Sequence, residues 1–361
     1  MIQYPAYRVA AMHVSPAFLD SERTTEKACS LIAEAGRSGA RLVVFPETYV
    51  PAFPIWAALR APIFNHKFFR ALAASAVRVP GPEIARLSAA ARKAGVVVSM
   101  GINEGTDASV GCIWNTNLII GEDGRILNHH RKIVPTFWEK LVWANGDGAG
   151  LRVVETALGR IGMLICGENT NPLARYTLMA EGEQVHISSY PPVWPANDPK
   201  DSDAYDVANA IRIRAGAHSF EAKAFNIVAA SFMDTQMKKA LADSEVVALE
   251  VLEASPRGIS MVVGPGGETI GQTFQDAEGI LYADIDLARC VAPKQIHDVV
   301  GYYNRFDIFR LTVNRTANRP VAFEEGGARH EPAEAPAQRA PRGEAKERPV
   351  TEVELASGSG R

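Results

Sequence analysis

Short apolar runs alternate along this chain with longer segments whose apolar residues recur at helical spacing. The runs fall at residues 7–14, 41–45, 96–102, 161–165, 185–189, 226–232 and 280–285, and they are short enough to be strands. The helical pattern occurs at residues 21–35, 83–94, 173–179 and 204–223. Ser21 is the expected N-cap of the first helix, and Pro82 and Pro172 stand near the starts of two others. This alternation predicts an α/β fold.

Two further segments, residues 117–127 and 260–270, are predicted to be β-hairpins. Each places Gly-containing turn residues between β-branched stretches, as tight hairpin turns require. The second turn, Gly-Pro-Gly-Gly at 264–267, lacks the Lys-Ser/Thr ending of a phosphate-binding loop and joins two strands, so phosphate binding there is not favoured. Hairpins among alternating strands and helices predict an α/β sandwich of mixed rather than purely parallel sheets.

The composition of the chain changes near residue 319. The 361 residues are 47% hydrophobic and 22% charged, which is enough apolar material for one large core or two modest ones. Beyond residue 320 the chain is rich in Ala, Pro, Glu and Arg, and Phe323 is its only aromatic residue. We therefore predict one domain over residues 1–318 and a disordered tail over 319–361, which cannot bury enough apolar surface to offset its ordering entropy.

Charge and cysteine content exclude several classes of protein. The net charge of −3 and the scattered Lys and Arg residues give no basis for a nucleic-acid partner. No apolar run reaches the roughly 18 residues of a membrane span, and the N-terminus does not resemble a signal peptide, so we expect a cytoplasmic protein. Cys29, Cys112, Cys166 and Cys290 form no CxxC pair, which disfavours a structural zinc site or a redox pair.

Two polar residues stand at the ends of predicted strands. Glu47 directly follows the strand at 41–45, and Lys132 lies in the segment His-Arg-Lys-Ile-Val-Pro that follows a hairpin strand. In open α/β folds, sites assemble at the carboxyl edge of the strands. Taken alone, each residue is better explained as a solvated surface position, so neither defines a site by itself.

Cys166 gives a stronger signal, because it ends an apolar strand just before a turn and a helix. A sharp strand-to-helix turn exposes a nucleophile and brings backbone N–H groups near it. A helix N-terminus also favours the thiolate, which is the reactive form. We expect Gly167 to supply the strained backbone of this turn, since it has no Cβ. A buried structural cysteine is the alternative.

Taken together, these segments resemble the nitrilase, or carbon–nitrogen hydrolase, superfamily. The matching residues are FPE around Glu47, HHRKIVPTFWE around Lys132, CGENTNPLARYTLMAEGEQVHISSYPP around Cys166, and YYNRFDIFRLTVN near residue 310. The resemblance covers almost everything before the tail and is closest to the nitrilase branch. It implies an α-β-β-α sandwich that forms dimers or larger, even spiral, homo-oligomers. It also implies a Glu-Lys-Cys triad, carried here by Glu47, Lys132 and Cys166, that needs neither metal nor cofactor.

The chemistry of a nitrile explains these residue types. A nitrile carbon is a weak electrophile and requires a strong, soft nucleophile such as the Cys166 thiolate. Glu47 would take the thiol proton, and Lys132 with the backbone N–H of Gly167 would stabilise the negative charge that develops. The product is a carboxylic acid, formed with ammonia through thioimidate and acyl-thioester intermediates. Glu139, in PTFWEK, resembles a second glutamate of the family and would orient Lys132, help to activate water or have only a supporting structural role.

Several alternatives stay open at this point. An amidase or an N-carbamoyl hydrolase would use the same triad, whereas a papain-like protease would need a His–Cys pair that the sequence does not display. A binding or assembly module would leave Cys166 unreactive. Trp138, Tyr190 and Trp194 are candidates for lining the pocket, although aromatic residues also serve as packing. Many nitrilases carry Trp at the position of Gly167, which leaves the class of nitrile (aliphatic, arylaliphatic or aromatic) undetermined.

Overall fold

A computed structural model describes residues 4–198, 200–201, 205–301, 303–318, 324–325 and 328–329. The chain divides into two units, Met1–Ala317 and Asn318–Arg361. In the second unit, β13 (Glu324–Glu325) pairs with β14 (Ala328–Arg329) in an antiparallel arrangement. Apart from these residues, the predicted disordered tail lies outside the described residues, and its disorder stays a prediction.

The first unit contains twelve strands and eight α-helices among its described residues. The strands are β1 (Ala6–His13), β2 (Ala40–Val44), β3 (Val97–Gly105), β4 (Ile113–Ile120), β5 (Ile126–Arg131), β6 (Val154–Thr156), β7 (Gly159–Ile165), β8 (Val185–Tyr190), β9 (Phe225–Ala230), β10 (Ser260–Val263), β11 (Thr269–Phe274) and β12 (Gly279–Asp286). The helices are α1 (Ser21–Arg37), α2 (Trp56–Leu59), α3 (His66–Ser75), α4 (Pro82–Ala94), α5 (Pro172–Ala180), α6 (Val207–Ala222), α7 (Thr235–Ala242) and α8 (Val246–Ala254). Short 3₁₀ helices occur at Pro62–Phe64, Phe137–Leu141, Cys166–Thr170, Leu287–Cys290 and Ala292–Gln295.

The strands form two six-stranded sheets. The first has the order β12-β1-β2-β3-β4-β5, and the second has the order β11-β10-β9-β8-β7-β6. Strands β1, β2 and β3 run parallel to one another, as do β7, β8 and β9, whereas the outer pairs are antiparallel. Both sheets are therefore mixed, as the sequence predicts, and β4–β5 and β10–β11 are the two predicted hairpins.

Burial explains how the sheets stack. On β2, Leu42 and Val44 point into a core shared with Ile161 and Ile187 of the second sheet, whereas Val43 packs under α1 and α4. This alternation follows from the two-residue period of a strand, which sends successive side chains to opposite faces. Helix α6 covers the outer face of the second sheet, where it packs against residues of β7, β9 and β10. The predicted α-β-β-α sandwich is thereby confirmed.

The structure corrects some local expectations. Asp20, not Ser21, is the N-cap of α1, since its side chain accepts a hydrogen bond from the Arg23 N–H at 2.9 Å. Helix α6 begins at Val207 rather than at residue 204, because Asp206 caps it in the same way. Helices α2, α3, α7 and α8 were not anticipated from the sequence. In the described residues no helix has both the length and the apolar character needed to cross a membrane.

Candidate active site

Three strand ends bring Glu47, Lys132 and Cys166 into one buried cluster. Glu47 follows β2, Lys132 follows the last residue of β5, and Cys166 follows β7 and begins a 3₁₀ helix. All three side chains are buried, although all three are ionisable. Because the sheets stack face to face, residues more than 80 positions apart in sequence meet here. The sequence-predicted triad is thus assembled in space.

Lys132 makes the central contacts of the cluster. Its Nζ donates to Glu47 Oε1 at 2.8 Å and to Glu139 Oε2 at 2.6 Å. Asn115 Nδ2, on β4, also donates to Glu47 Oε1, at 2.7 Å. Within the described part of the chain, Glu47 Oε2 has no hydrogen-bond partner. One oxygen of Glu47 is therefore held in place while the other is available to a ligand or to the cysteine.

Glu139 is fixed by the 3₁₀ helix Phe137–Leu141. Thr136 and Glu139 form a capping box, in which the Thr136 side chain accepts from the Glu139 N–H and the Thr136 N–H donates to Glu139 Oε2 at 2.7 Å. The indole Nε1 of Trp194 donates to the other oxygen, Oε1, at 3.3 Å. The carboxylate of Glu139 is consequently oriented toward Lys132, in agreement with an orienting function.

Cys166 occupies a strained turn beside these carboxylates. Its Sγ, one oxygen of Glu47 and one oxygen of Glu139 lie within 4.8 Å of one another. The backbone φ of Cys166 is +50°. This left-handed conformation costs a residue with a Cβ about 1–2 kcal/mol, so the surrounding structure must hold it. The expectation that Gly167 carries the strain is wrong, because Gly167 is not among the residues with positive φ.

Glu168 and Asn169 hold the turn from behind. Glu168 accepts hydrogen bonds from the Ile165 N–H at 2.8 Å, from the Ile133 N–H at 2.5 Å and from His130 Nε2 at 3.0 Å. It therefore connects the end of β7 to the segment after β5 and anchors the turn. The Asn169 amide donates to the carbonyl oxygens of Leu164 and Cys166.

Gly167 has a steric reason to be glycine. A Cβ built on Gly167 would lie 2.6 Å from Thr136 Oγ1, the atom that caps the Glu139 helix. The Thr136 side chain is short and held by its capping bond, so it cannot move away freely. The cost of a larger residue at position 167 therefore comes from contact with Thr136 and not from the backbone conformation of Gly167.

Burial dominates the electrostatics of the cluster. Burial, together with the nearby Glu139 carboxylate, raises the pKa of Glu47 to about 7, even though Lys132 opposes the shift. Burial alone would lower the pKa of Lys132, but the Glu139 and Glu47 carboxylates outweigh it and hold that pKa well above its usual value. Lys132 is thus a permanent cation, and Glu47 is poised to exchange protons near neutral pH.

The Cys166 thiol behaves differently from the sequence-based expectation. Burial, followed by the charge of Glu47, raises the pKa of Cys166 well above its usual value, although Lys132 acts in the opposite direction. The five-residue 3₁₀ helix that begins at Cys166 does not offset this desolvation. The expectation that a helix N-terminus favours the thiolate is therefore wrong for this state of the site. A base must remove the proton, and Glu47 lies within reach.

The three aromatic candidates lie close to the cluster. Tyr190 is fully buried at the end of β8 and packs in the same apolar cluster as Cys166. Trp138 stacks on Trp194, with ring centroids 5.8 Å apart, and Trp194 contacts the Cys166 cluster. Phe137 and Trp138 also line a surface groove of about 850 Å³ whose opposite wall is α8.

Two groups of side chains in the described residues could geometrically converge on a metal ion. The first is Glu47, Glu139 and Cys166, and the second is a fully buried set formed by Glu183, His186 and His218. In the first group, the Lys132 ammonium already contacts both carboxylates. In the second, the Glu183 oxygens lie 2.6 and 2.7 Å from the imidazole nitrogens and form direct hydrogen bonds with them. Two atoms that each bind a metal at about 2 Å lie farther apart than this. The absence of a metal requirement stays a prediction.

Sequence reasoning missed Asn115, Thr136 and Asn169. The capping role of Thr136 could have been predicted, because T-x-x-E before an apolar segment is the signature of a capping box. Asn115 had no local signal, since its partner Glu47 is 68 residues away. Asn169 lies inside the quoted cysteine motif, but only the structure shows that it binds the backbone of the turn. All four cysteines are free.

Comparison with known proteins identifies the family. Residues 8–295 match the carbon-nitrogen hydrolase family. The chain is 34% identical over 316 residues to Nitrilase 3 of an unknown prokaryotic organism, and the aligned region covers 87% of this chain and 92% of the relative. It is 33% identical to a nitrilase of Paraburkholderia phymatum (89% and 92% covered) and 32% identical to an arylacetonitrilase of Hypocrea virens (85% and 92% covered). The chain belongs to the carbon–nitrogen hydrolase, or nitrilase, superfamily and is a hydrolase of that family.

Solved structures agree on the fold. A carbon-nitrogen hydrolase from Helicobacter pylori G27 superposes with a TM-score of 0.64 at 20% identity, covering 84% of this chain and 97% of that one. The Saccharomyces cerevisiae Nit3 protein, a member of branch 10 of the nitrilase superfamily, gives 0.62 at 19% identity, covering 85% and 98%. The NitN amidase of a Nesterenkonia species gives 0.58 at 18% identity, covering 79% and 94%. At these identities the likeness concerns the fold alone.

Proposed function

We propose that this protein is a nitrilase that hydrolyses an organic nitrile to the carboxylic acid and ammonia, with Cys166 as the nucleophile. The observation that carries the proposal is the contact of one buried lysine with two buried glutamates beside a cysteine in a strained turn. Relatives named nitrilases, at 33–34% identity over 87–89% of the chain, support the choice of substrate class.

The first half of the reaction forms a covalent bond to Cys166. Glu47, through its free Oε2, takes the thiol proton, and Cys166 Sγ then bonds to the nitrile carbon. One π bond of the C≡N group becomes a lone pair on nitrogen, and Glu47 returns the proton to that nitrogen. The product of this half is a thioimidate. A high thiol pKa fits a mechanism in which deprotonation accompanies binding of the substrate.

The second half consumes two water molecules. The first adds to the thioimidate carbon, the C–N bond breaks, and ammonia leaves, so that an acyl thioester remains on Cys166. The second water cleaves the thioester to the acid and restores the thiol. Glu47 and Glu139 are both close enough to Cys166 to accept protons from attacking water. We assign Glu139 mainly to orienting Lys132, because its two oxygens are already engaged by Lys132, the Thr136 N–H and Trp194.

Charge stabilisation falls to Lys132 and the backbone N–H of Gly167. Negative charge develops first on the substrate nitrogen and then on the oxygen of the tetrahedral intermediate. A fixed cation and a fixed N–H in a water-poor site stabilise such charge without having to reorganise. The complete burial of Lys132 strengthens this interaction, since no water screens it.

The organic group of the substrate is assigned to the groove that begins at Trp138. Its volume of about 850 Å³ and its aromatic rim, formed by Phe137 and Trp138, would accept an aryl group. Trp194, which stacks on Trp138, packs with Tyr190 in the apolar cluster around Cys166. Relatives named arylacetonitrilases support an arylaliphatic nitrile as the first substrate to test.

An amidase or N-carbamoyl hydrolase is the second candidate. The same arrangement of carboxylate, ammonium and thiol would act on an amide, which enters the pathway as a tetrahedral species on the way to the same thioester. The structural likeness to amidases, at 17–18% identity, concerns only the fold and does not favour this alternative over a nitrilase.

We also propose that the chain forms a homo-oligomer, with a dimer as its basic unit. Leu173 on α5 and Ile213 and Phe220 on α6 are exposed, as are Phe306 and Phe309 near the end of the first unit. Exposed apolar side chains in such number are typical of a protein interface. Sedimentation of the wild type against an Ile213→Lys variant would test the dimer. Spiral assembly stays a prediction.

The function is tested by supplying phenylacetonitrile and, separately, the corresponding amide, and by measuring ammonia and acid. The proposal expects a higher kcat/KM on the nitrile, with acid as the main product. Turnover of the amide alone would replace the proposal with the amidase assignment, and turnover of neither compound nor of any short aliphatic nitrile would contradict both.

A further inference from the structure

A second buried polar cluster lies behind the cysteine turn. It consists of Glu183, His186 and His218, with relative exposures of 2%, 0% and 0%, and of Asn169, with 2%. His186 belongs to β8, His218 to α6, and Glu183 to the segment that precedes β8. The reaction described above uses none of these four residues. Burying a carboxylate and two imidazoles is costly unless they are paired, so their arrangement requires an explanation.

Hydrogen bonding fixes the orientation of Asn169. Its Nδ2 donates to the backbone oxygens of Leu164 at 3.2 Å and of Cys166 at 3.1 Å. Carbonyl oxygens can only accept, so the amide nitrogen must face them and Oδ1 must point the other way. There Oδ1 accepts from Ser188 Oγ at 3.1 Å and faces His186 Nε2 at 2.9 Å. Nε2 of His186 therefore carries a hydrogen atom.

The other nitrogen of His186 faces a carboxylate. Nδ1 lies 2.6 Å from Glu183 Oε1, and His218 Nε2 lies 2.7 Å from Glu183 Oε2. Burial would raise the pKa of Glu183, but His186 and His218 outweigh it and lower that pKa to about 2. Burial and the neighbouring His186 lower the pKa of His218 to about 4, so His218 is neutral at pH 7. His186 therefore lies between two fixed partners, with Nε2 facing Asn169 Oδ1 and Nδ1 facing the Glu183 carboxylate.

We propose that His186 is a positioning residue for the oxyanion-binding N–H of Gly167 and acts through Asn169. The short contact with Glu183 holds the imidazole, the imidazole holds the Asn169 amide, and the amide holds the Cys166 carbonyl. The peptide group is planar, so fixing the Cys166 C=O also fixes the Gly167 N–H that points to the opposite side. This inference rests on the proposed function, in which that N–H stabilises the charge that develops on the substrate.

Two variants separate positioning from simple packing. In His186→Gln, the amide nitrogen of Gln can occupy the place of Nε2 and still donate to Asn169, while the contact with Glu183 is lost. In His186→Asn, the shorter amide occupies the place of Nδ1, retains Glu183 and loses Asn169. Both variants replace a buried imidazole by an amide, so their melting temperatures should fall by similar amounts. His13, another buried histidine, whose Nδ1 lies 2.9 Å from Ser260 Oγ, gives the matched controls His13→Gln and His13→Asn.

The experiment measures kcat, KM and melting temperature on a nitrile for the four variants. We expect His186→Asn to lower kcat by about 10- to 100-fold with little change in KM, because one charge-stabilising donor is misoriented while the pocket walls stay in place. We expect His186→Gln to stay close to the wild-type kcat, and both His13 variants to do so as well. Equal kcat values for the Asn and Gln variants of His186 would overturn the proposal.

A measurement on the wild-type protein covers the case in which the His186 variants do not fold. Labelling the histidines with ¹⁵N shows by NMR whether each ring nitrogen is protonated. Nε2 of His186 is expected to carry hydrogen, because it faces the acceptor Oδ1 of Asn169, and an unprotonated Nε2 would overturn the proposal. The proposed function is judged separately and fails if Cys166→Ala retains activity. The positioning inference fails on its own if the wild type is active and Cys166→Ala is inactive, but His186→Asn is as active as His186→Gln.

Discussion

Lys132 Nζ donates to Glu47 Oε1 at 2.8 Å, and this contact leaves Oε2 of the same carboxylate without a partner among the described residues. The arrangement gives Glu47 two different oxygens, one neutralised by a cation and one free to accept a proton. Since burial raises the pKa of Glu47 to about 7, the free oxygen is a moderately strong base rather than an inert carboxylate.

A pH dependence follows from this geometry. Glu47 acts as a base only when deprotonated, so kcat/KM should rise with pH and reach half of its plateau near pH 7. Glu47→Gln keeps the shape of the side chain but removes the base. It should lower kcat by at least about 100-fold and abolish the rise of kcat/KM with pH. A Glu47→Gln variant with full activity across the pH range would show that another group is the base, with Glu139 the first to be tested.

Lys132→Met should lower kcat by at least about 100-fold, because it removes a preorganised positive charge. It also leaves the Glu47 and Glu139 carboxylates buried without a cation, which costs about 3–5 kcal/mol of folding free energy if they stay ionised. Activity and denaturant unfolding should therefore be measured together. The control is Lys140→Met, at an exposed position of the neighbouring 3₁₀ helix, and it should behave as the wild type. Near-normal turnover by folded Lys132→Met would remove lysine from the mechanism.

Gly167→Ala should reduce kcat by about tenfold or more, although φ at Gly167 is not positive. The added Cβ would lie 2.6 Å from Thr136 Oγ1 and displace the cap of the helix that carries Glu139. Thr136→Ser should restore part of the activity in the double variant, because a serine hydroxyl rotates more freely than that of a β-branched residue. Gly111→Ala, where a Cβ meets nothing within 4 Å, is the control. If the double variant is no better than Gly167→Ala, Thr136 is not the cause.

Enlarging Gly167 further tests the pocket. Gly167→Trp gives the residue that many nitrilases carry, and the sequence alone predicts a smaller pocket that disfavours bulky nitriles. The contact with Thr136 adds a general loss on every substrate. Comparing kcat/KM for a short aliphatic nitrile and an arylaliphatic nitrile separates these effects, since equal losses on both would assign the residue to the turn rather than to the pocket.

Truncation after Ala322 should leave a folded, active first unit, because both six-stranded sheets and the active-site cluster lie within residues 1–317. Melting temperature and kcat should match those of the full chain, while the size of the oligomer can change. A collapse in soluble expression would show that the segment beyond residue 322 contributes to folding.

The sequence predicts the layers of this fold better than it predicts the details of the site. Strand periodicity and Gly-rich turns are local signals, so β1, β7 and both hairpins were recognisable. Glu47, Lys132 and Cys166 were found because each lies in a recognisable segment at a strand end. The raised pKa of Cys166 was not predictable, since it depends on burial by residues from distant parts of the chain.

The contacts that hold the site together were equally hidden. Asn115 on β4 reaches Glu47 after β2 across the intervening strand β3, and Asn169 reaches His186 17 positions away, so neither pairing leaves a periodic pattern. The left-handed residue was expected at Gly167 because glycine adopts positive φ easily. The structure has it at Cys166, where the hydrogen bonds made by Glu168 and Asn169 hold the turn.

The most direct test of the account is to trap the covalent intermediate. The protein is mixed with phenylacetonitrile, quenched in acid within the first turnovers, and examined by intact-mass and peptide mass spectrometry. The account predicts an added acyl or imidoyl group on the peptide containing Cys166, full loss of adduct and turnover in Cys166→Ala, and near-normal values for Cys112→Ala. Turnover by folded Cys166→Ala at close to the wild-type rate, or an adduct on any other residue, would contradict the central claim that Cys166 is the nucleophile.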